Sequence, residues 1–346
     1  MKPQTLQKTA LALLVGWYAA NAAAYSEQGQ AGNTKSWESA EYLKDWGLTS
    51  MNASTAYALG FNGSGIKIGV MDSGVLLNHP EFQDGRIHVV KTEGTYSKDG
   101  MRYPDASVGN GPINKNEPVK NGKRNFDKTD NGVFTKGEAF NIDGAWHKYT
   151  NDSHGTHVGG TMAASRDGNE MHGVAFGANL YSANTGGNDN MTYGPNQDYS
   201  FFLQGYSALA DAGAKVINNS WGSNRRVNSS FAGAQGYKPK YDWRNVPEYG
   251  VQYYDVPKAP EPISSPAAHI YLSNLGEAEK AYYQFVTSGE KNFVDAAYEV
   301  AKNRKVIQVF TAGNRSMMAE SFTRAMLPYF RPDAEKYWVN VTGQVG

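Results

Sequence analysis

No cysteine occurs anywhere in this 346-residue chain. That absence excludes a disulfide scaffold, a thiolate nucleophile and a cysteine zinc site together. It leaves export open, because large secreted bacterial domains can hold together by core burial alone. Net charge is missing too: Lys and Arg number 33, and so do Asp and Glu. With no field of one sign, nothing draws the chain to nucleic acid or to an anionic membrane surface. A long apolar run is the third absence. Past the N-terminus no segment approaches the roughly 20 apolar residues that a membrane-spanning helix requires, and no internal repeat is visible.

What is present begins with a leader. Residues 1 to about 24 read as a secretory signal peptide: Lys2 and Lys8 form the positive region, Ala10 to Tyr18 a short apolar core, and Ala22-Ala23-Ala24 a small-residue cleavage site. The remaining residues, 25–346, suffice for one large core carrying insertions.

The chain is organised around Asn151-Asp152-Ser153-His154-Gly155-Thr156-His157-Val158-Gly159-Gly160-Thr161. This run predicts a turn that becomes a helix, with Ser153 or Asp152 as its cap. Gly159 and Gly160 would let that helix press on whatever lies beneath. A plain capped helix would explain the run equally well, so the rest of the chain decides. Ile66-Lys67-Ile68-Gly69-Val70-Met71 is nearly continuous in apolar character, as a parallel strand covered on both faces should be. It runs into Asp72-Ser73-Gly74, at the strand end where open α/β sheets place their sites. Alone, Asp72 would suit a phospho-acceptor or a cap as well. The glycines from Gly60 to Gly65 precede the strand, so they form a turn and not a dinucleotide fingerprint, which must follow one.

Further strands are predicted over 179–183, 215–219, 306–311 and 338–342, and helices near 52–59 (capped by Asn52), 199–212, 277–285 and 292–303. Alternating strands and helices predict an α/β fold, a doubly wound, mostly parallel sheet flanked by helices. Two segments interrupt it, at about 92–150, rich in Gly, Asn, Asp and Lys, and at about 223–290, which opens rich in Tyr, Pro, Gly and Trp. Both are expected to be long surface insertions.

Four segments in this order resemble the subtilisin-like serine proteases, or subtilases, over roughly residues 45 to 346. Val70-Met71-Asp72-Ser73-Gly74 with His79-Pro80 resembles the family's aspartate motif. His154-Gly155-Thr156-His157-Val158-Gly159-Gly160 resembles its histidine motif, Asn219-Ser220-Trp221-Gly222 its substrate-binding strand, and Thr311-Ala312-Gly313-Asn314 its oxyanion segment. Asp before His is the order of subtilisin, not of chymotrypsin or the α/β-hydrolases. The resemblance implies a subtilisin-like peptidase domain over 25–346, incomplete at its C-terminus, that cleaves polypeptides. It makes Asp72 the orienting carboxylate, His154 the general base and acid, and Asn314 the oxyanion donor. Ser220, Trp221 and Gly222 would pair with substrate backbone as an added strand.

His157 is expected to be a buried structural histidine. Zinc is set aside, because the His-Glu-x-x-His pattern is absent. No cofactor is required by this chemistry, but Glu81 and Asp167 match positions of a calcium site found in some subtilases, where Ca2+ takes six to eight oxygens.

Two departures from the family shape the expectation. Asp72 and His154 stand 82 residues apart, against about 30 in subtilisin, and the first insertion accounts for the excess. The family's nucleophile lies in Gly-Thr-Ser-x-Ala, and that motif occurs nowhere in the chain. Subtilisin's spacing puts the serine about 65 residues beyond the oxyanion Asn, past Gly346. The chain is therefore expected to be an inactive fragment of a longer secreted serine endopeptidase. The interval from Ala24 to Asp72 is too short for the folding pro-domain of many subtilases. A signal leading straight into the catalytic domain resembles subtilases exported as autotransporter passengers, at the surface of Gram-negative bacteria, through a C-terminal outer-membrane β-barrel. The alternative is a catalytically dead secreted fragment that at most binds peptides.

Overall fold

The computed structural model describes residues 29–98, 100–101, 133–146, 153–185, 198–221, 291, 293–311 and 327–341. The expected signal peptide, the second insertion, the helix over 277–285, Asp152, Gly222 and Asn314 lie outside the described residues. The chain divides into two compact units, residues 1–66, 78–86 and 159–179, and residues 67–77, 87–158 and 180–346.

The first unit opens with three short helices, α1 (Ala40–Lys44), α2 (Trp46–Ser50) and α3 (Ala53–Ala58). Ser39 caps α1 by accepting from Tyr42 N, and Asp45 caps α2 by accepting from Gly47 N. Asn52 stands at the start of α3 as expected, but it does not cap. Its backbone is left-handed (φ 57°) and its side chain accepts no helix N–H; instead its Oδ1 takes the Thr55 hydroxyl at 2.9 Å. Asn tolerates this conformation because its short amide bonds locally. Tyr42, Leu48, Ala53 and Tyr57 form the unit's core, with Trp37, Val174 and Phe176 packed against them. His172 is buried among the rings of Tyr42, Tyr57 and Phe176, and that burial lowers its pKa.

The second unit is built on β1 (Lys67–Asp72), β2 (Ile87–Val89), β7 (Asn179–Asn184), β8 (Val216–Asn219), β9 (Ile307–Thr311) and β10 (Trp338–Val341). They form one six-stranded sheet in the order β10-β9-β8-β1-β7-β2. The recorded pairs β8–β1, β9–β8, β10–β9 and β2–β7 are all parallel. From β1 the chain first fills one side, β2 at the edge and then β7 between it and β1, and afterwards builds outward through β8, β9 and β10 on the other, which makes the sheet doubly wound. Helices α5 (Tyr199–Asp211) and α6 (Phe293–Arg304) supply buried side chains to its core, including Phe201, Phe202, Tyr206, Phe293 and Val300, packed with Met71, Ile217, Phe310 and Trp338.

Within 92–150 the described parts form two antiparallel pairs. β3 (Lys91–Thr95) pairs with β6 (Ala139–Asp143), and β4 (Gly100–Met101) with β5 (Val133–Phe134). Asp198, 3% exposed, caps α5 through Phe201 N and also accepts from the N–H and hydroxyl of Ser97 just past β3. Helix α4 (His154–Ala163) begins in this unit and continues into the first. Among the described residues no helix is long and apolar enough to cross a membrane.

Candidate active site

The apolar run of β1 ends on a carboxylate that is only 2% exposed. A buried charge must find donors, and the local sequence provides them. Asp72 Oδ1 accepts from Ser73 N at 2.7 Å and lies 2.8 Å from His154 Nδ1. Its Oδ2 is buried and takes no further hydrogen bond. The main-chain oxygen of Asp72 accepts from the N–H and hydroxyl of Thr185, the residue after β7, at 2.8 and 3.1 Å. Asn184 donates to the carbonyls of Ser73 and Ala145 at 3.4 and 3.2 Å.

Helix α4 is docked onto the same turn. Gly155 N donates to Ser73 Oγ at 2.9 Å, and Leu76 N donates to Thr156 Oγ1 at 3.0 Å. A close approach is made at Gly155, and Gly160 makes none. A Cβ on Gly155 would sit 2.5 Å from the Gly74 carbonyl oxygen, whereas one on Gly160 would meet nothing within 4 Å. Gly74 has φ +92°, a conformation that glycine adopts without a steric penalty. The turn is therefore shaped by glycines on both sides of the contact.

Asp72 and His154, 82 residues apart in sequence, are thus brought into one hydrogen-bonded pair. With Nδ1 facing the carboxylate, Nε2 is the basic nitrogen of the ring. The His154 side chain is 46% exposed against 3% for Asp72, so the imidazole can meet an external group while the carboxylate cannot. His157 is exposed, which corrects the expectation of a buried structural histidine. Residues three apart share a helix face, and the face that presents His154 presents His157 with it.

The remaining candidates are placed as follows. Asn219 is buried at the end of β8, accepts from Tyr206 and donates to Gln308 Oε1 and Val309 O. Ser220 Oγ accepts from Asn218 Nδ2 at 2.8 Å. Trp221 turns its indole inward: Nε1 donates to the Met71 carbonyl at 2.6 Å, a contact that sequence reasoning missed. The resemblance implies only a substrate-pairing segment at Trp221, and nothing local in the motif announces which way the side chain points.

Glu81 and Asp167 belong to the first unit. Glu81 Oε2 is buried with no hydrogen-bond partner. Burial, followed by repulsion from Asp167, Glu41, Glu170 and Asp84, pushes the Glu81 carboxyl up to about 7. Glu41 meanwhile accepts from the backbone N–H groups of Asp167 and Gly168. Among the described residues no group of three His, Cys, Asp or Glu side chains is arranged to hold a metal ion.

A parallel sheet whose first strand delivers a buried carboxylate to the Nδ1 of a helix-borne histidine is the frame of a known peptidase family. The chain belongs to that family: the subtilase (peptidase S8) model matches residues 63–344. It is 29% identical over 343 residues to an extracellular serine protease of Serratia marcescens, an alignment covering 97% of this chain and 26% of that protein. It is 28% identical over 276 residues to bacillopeptidase F of Bacillus subtilis (strain 168), covering 74% of this chain and 16% of that one. Among solved structures, fervidolysin from Fervidobacterium pennivorans, a keratinolytic enzyme related to subtilisin, aligns at 18% identity and a TM-score of 0.34, covering 82% of this chain and 27% of that one. The chain spans about a quarter or less of the length of the curated relatives it matches.

Proposed function

We propose that this is the Asp- and His-bearing part of a secreted serine endopeptidase whose nucleophilic serine is supplied by sequence beyond Gly346. The observation that carries the reading is the 2.8 Å contact between Asp72 Oδ1 and His154 Nδ1. A serine hydroxyl is a poor nucleophile until an imidazole takes its proton. His154 would accept that proton at Nε2 and return it to the leaving amine. Asp72 would fix the ring's tautomer and stabilise the imidazolium. Asn314 would donate to the oxyanion, a contribution of about 2.7–4 kcal/mol for such a donor. The main chain of Ser220, Trp221 and Gly222 would pair with the substrate backbone.

None of these steps requires a cofactor. Calcium enters the proposal in a structural role only, at Glu81 and Asp167. The orphaned Glu81 oxygen suits a cation, and main-chain oxygens would complete the set. Export to the cell exterior through a C-terminal outer-membrane barrel is part of the same proposal, in keeping with the extracellular serine protease that the chain matches over nearly its whole length.

The test is active-site labelling. A fluorophosphonate probe should label the full-length protein at a serine within a Gly-Thr-Ser-x-Ala segment past Gly346 and lose that label in His154→Ala. The 346-residue chain by itself should remain unlabelled, because base and orienter are present but nothing attacks. Stoichiometric labelling of a serine within residues 25–346, lost in His154→Ala, would overturn the assignment of the missing nucleophile. An in-frame stop directly after the codon for Gly346 would favour a peptide-binding fragment.

A further inference from the structure

We propose that Trp221 is a positioning residue for catalysis: its indole N–H fixes the Met71 carbonyl, and with it the stretch of backbone that carries Asp72. The inference rests on the serine-protease reading and deepens it. Strand β1 is paired with β8 through Ile68↔Val216, Gly69↔Ile217 and Val70↔Asn218. Over the whole of its length β8 also pairs with β9 on its other side. Asn219 pairs with Phe310 and spends its amide on Gln308 and Val309. The next carbonyl along β1, that of Met71, is completely buried, where an unpaired oxygen would carry a desolvation cost. The Trp221 Nε1 reaches it from 150 residues downstream, at 2.6 Å. The donor is a side chain that reaches in from just past the end of β8.

The seat of that donor is rigid. The Trp221 ring packs at 5.7 Å from Phe202, 5.3 Å from Phe293 and 6.3 Å from Phe310, centroid to centroid. An indole held by three rings cannot swing away without emptying the core around it. The peptide unit it grips leads directly into Asp72, whose Oδ1 must keep its 2.8 Å contact with His154. On the other side of the same residue, the main chain of Ser220 and Trp221 belongs to the segment proposed to pair with substrate. One side chain therefore ties the substrate-pairing segment to the strand that bears the orienting carboxylate.

The test uses the full-length protein and a chromogenic peptide, with kcat and KM measured across pH. Trp221→Phe keeps a ring in the aromatic seat and removes the donor. It should lower kcat about tenfold, change KM by less than about twofold, and move the acidic limb of the kcat profile to lower pH, because a displaced Asp72 stabilises the imidazolium less. Phe140→Leu, a core change among Tyr96 and Phe201, should lower Tm and leave the acidic limb in place. If Trp221→Phe does not fold, 3-benzothienylalanine at position 221 removes the N–H while keeping the size, and the same kinetic signature is expected. Either variant with a lowered Tm but wild-type kcat and acidic limb would overturn the proposal. His154→Ala separates the two layers: retained hydrolysis in that variant would defeat the protease reading itself. Abolished hydrolysis alongside a kinetically normal Trp221 variant would defeat only the role of Trp221.

Discussion

Two carboxylates, Asp72 in one unit and Glu81 in the other, meet opposite surroundings. Asp72 is approached by an imidazole and a backbone N–H on one oxygen. Glu81 has an orphaned oxygen and four other acids nearby, and its carboxyl is pushed up to about 7. Asp72 is fully buried, whereas Glu81 is partly buried with one oxygen shut off from water. Donors fix the first beside an imidazole; desolvation, and after it like charges, make the second a group that holds a proton until the pH nears neutrality.

The sharpest way to break the first half of this comparison is Asp72→Asn. In the full-length protein it should reduce kcat about 10,000-fold while the fold survives, because the amide favours the wrong tautomer of His154. His157→Ala, on the same exposed face, should stay near wild-type activity. Equal losses from the two changes in peptide-hydrolysis assays would show that the wrong histidine has been chosen.

Gly155→Ala comes next. Its new Cβ would run into main chain at the Gly74 turn, and overpacking of that kind costs about 1–3 kcal/mol. Gly160→Ala, in open space, should instead stabilise by up to about 1 kcal/mol through helix propensity. Opposite shifts in the urea midpoint of the two variants would sharpen the picture, and matching shifts would contradict the close approach at Gly155.

The smallest effect concerns Glu81. Its carboxyl ionises near 7 when folded and near the ordinary value of 4.5 when unfolded. Between those limits the folded state binds more protons, so stability is full below about 4.5, falls as pH rises to about 7 and then levels off. Glu81→Gln should flatten that stretch of a Tm-against-pH curve. Added calcium at pH 8 should raise Tm in the wild type but not in the variant; equal responses would remove the calcium proposal.

Much of this arrangement was legible in the residues themselves. The run from Ile66 to Met71 announced a covered parallel strand, and Asp72, His154 and Asn219 could be placed on element ends before any coordinates. What could not be read was orientation. Asn52 occupies a cap position but its backbone takes a left-handed turn, so the side chain bonds elsewhere. His157 follows helix phase to the surface, although a His-rich run beside glycines suggested burial. The direction of the Trp221 indole depends on where β1 and β8 part, a long-range fact that no short motif carries. The acid cluster around Glu81 joins residues from three separate stretches of chain, and only folding shows their mutual repulsion.

The bond from Trp221 to Met71 also has a consequence in time. Its partners are 150 residues apart, and at the usual synthesis rates of about 5–20 residues per second the donor follows its acceptor by roughly 8–30 seconds. Throughout that interval strand β1 exists without the indole that caps its end. Loop closure over such a span adds little to the equilibrium cost, since each doubling of length is worth only about 0.6 kcal/mol. The burden is kinetic: a nascent chain of this topology stays open long enough for chaperones to reach it before it closes.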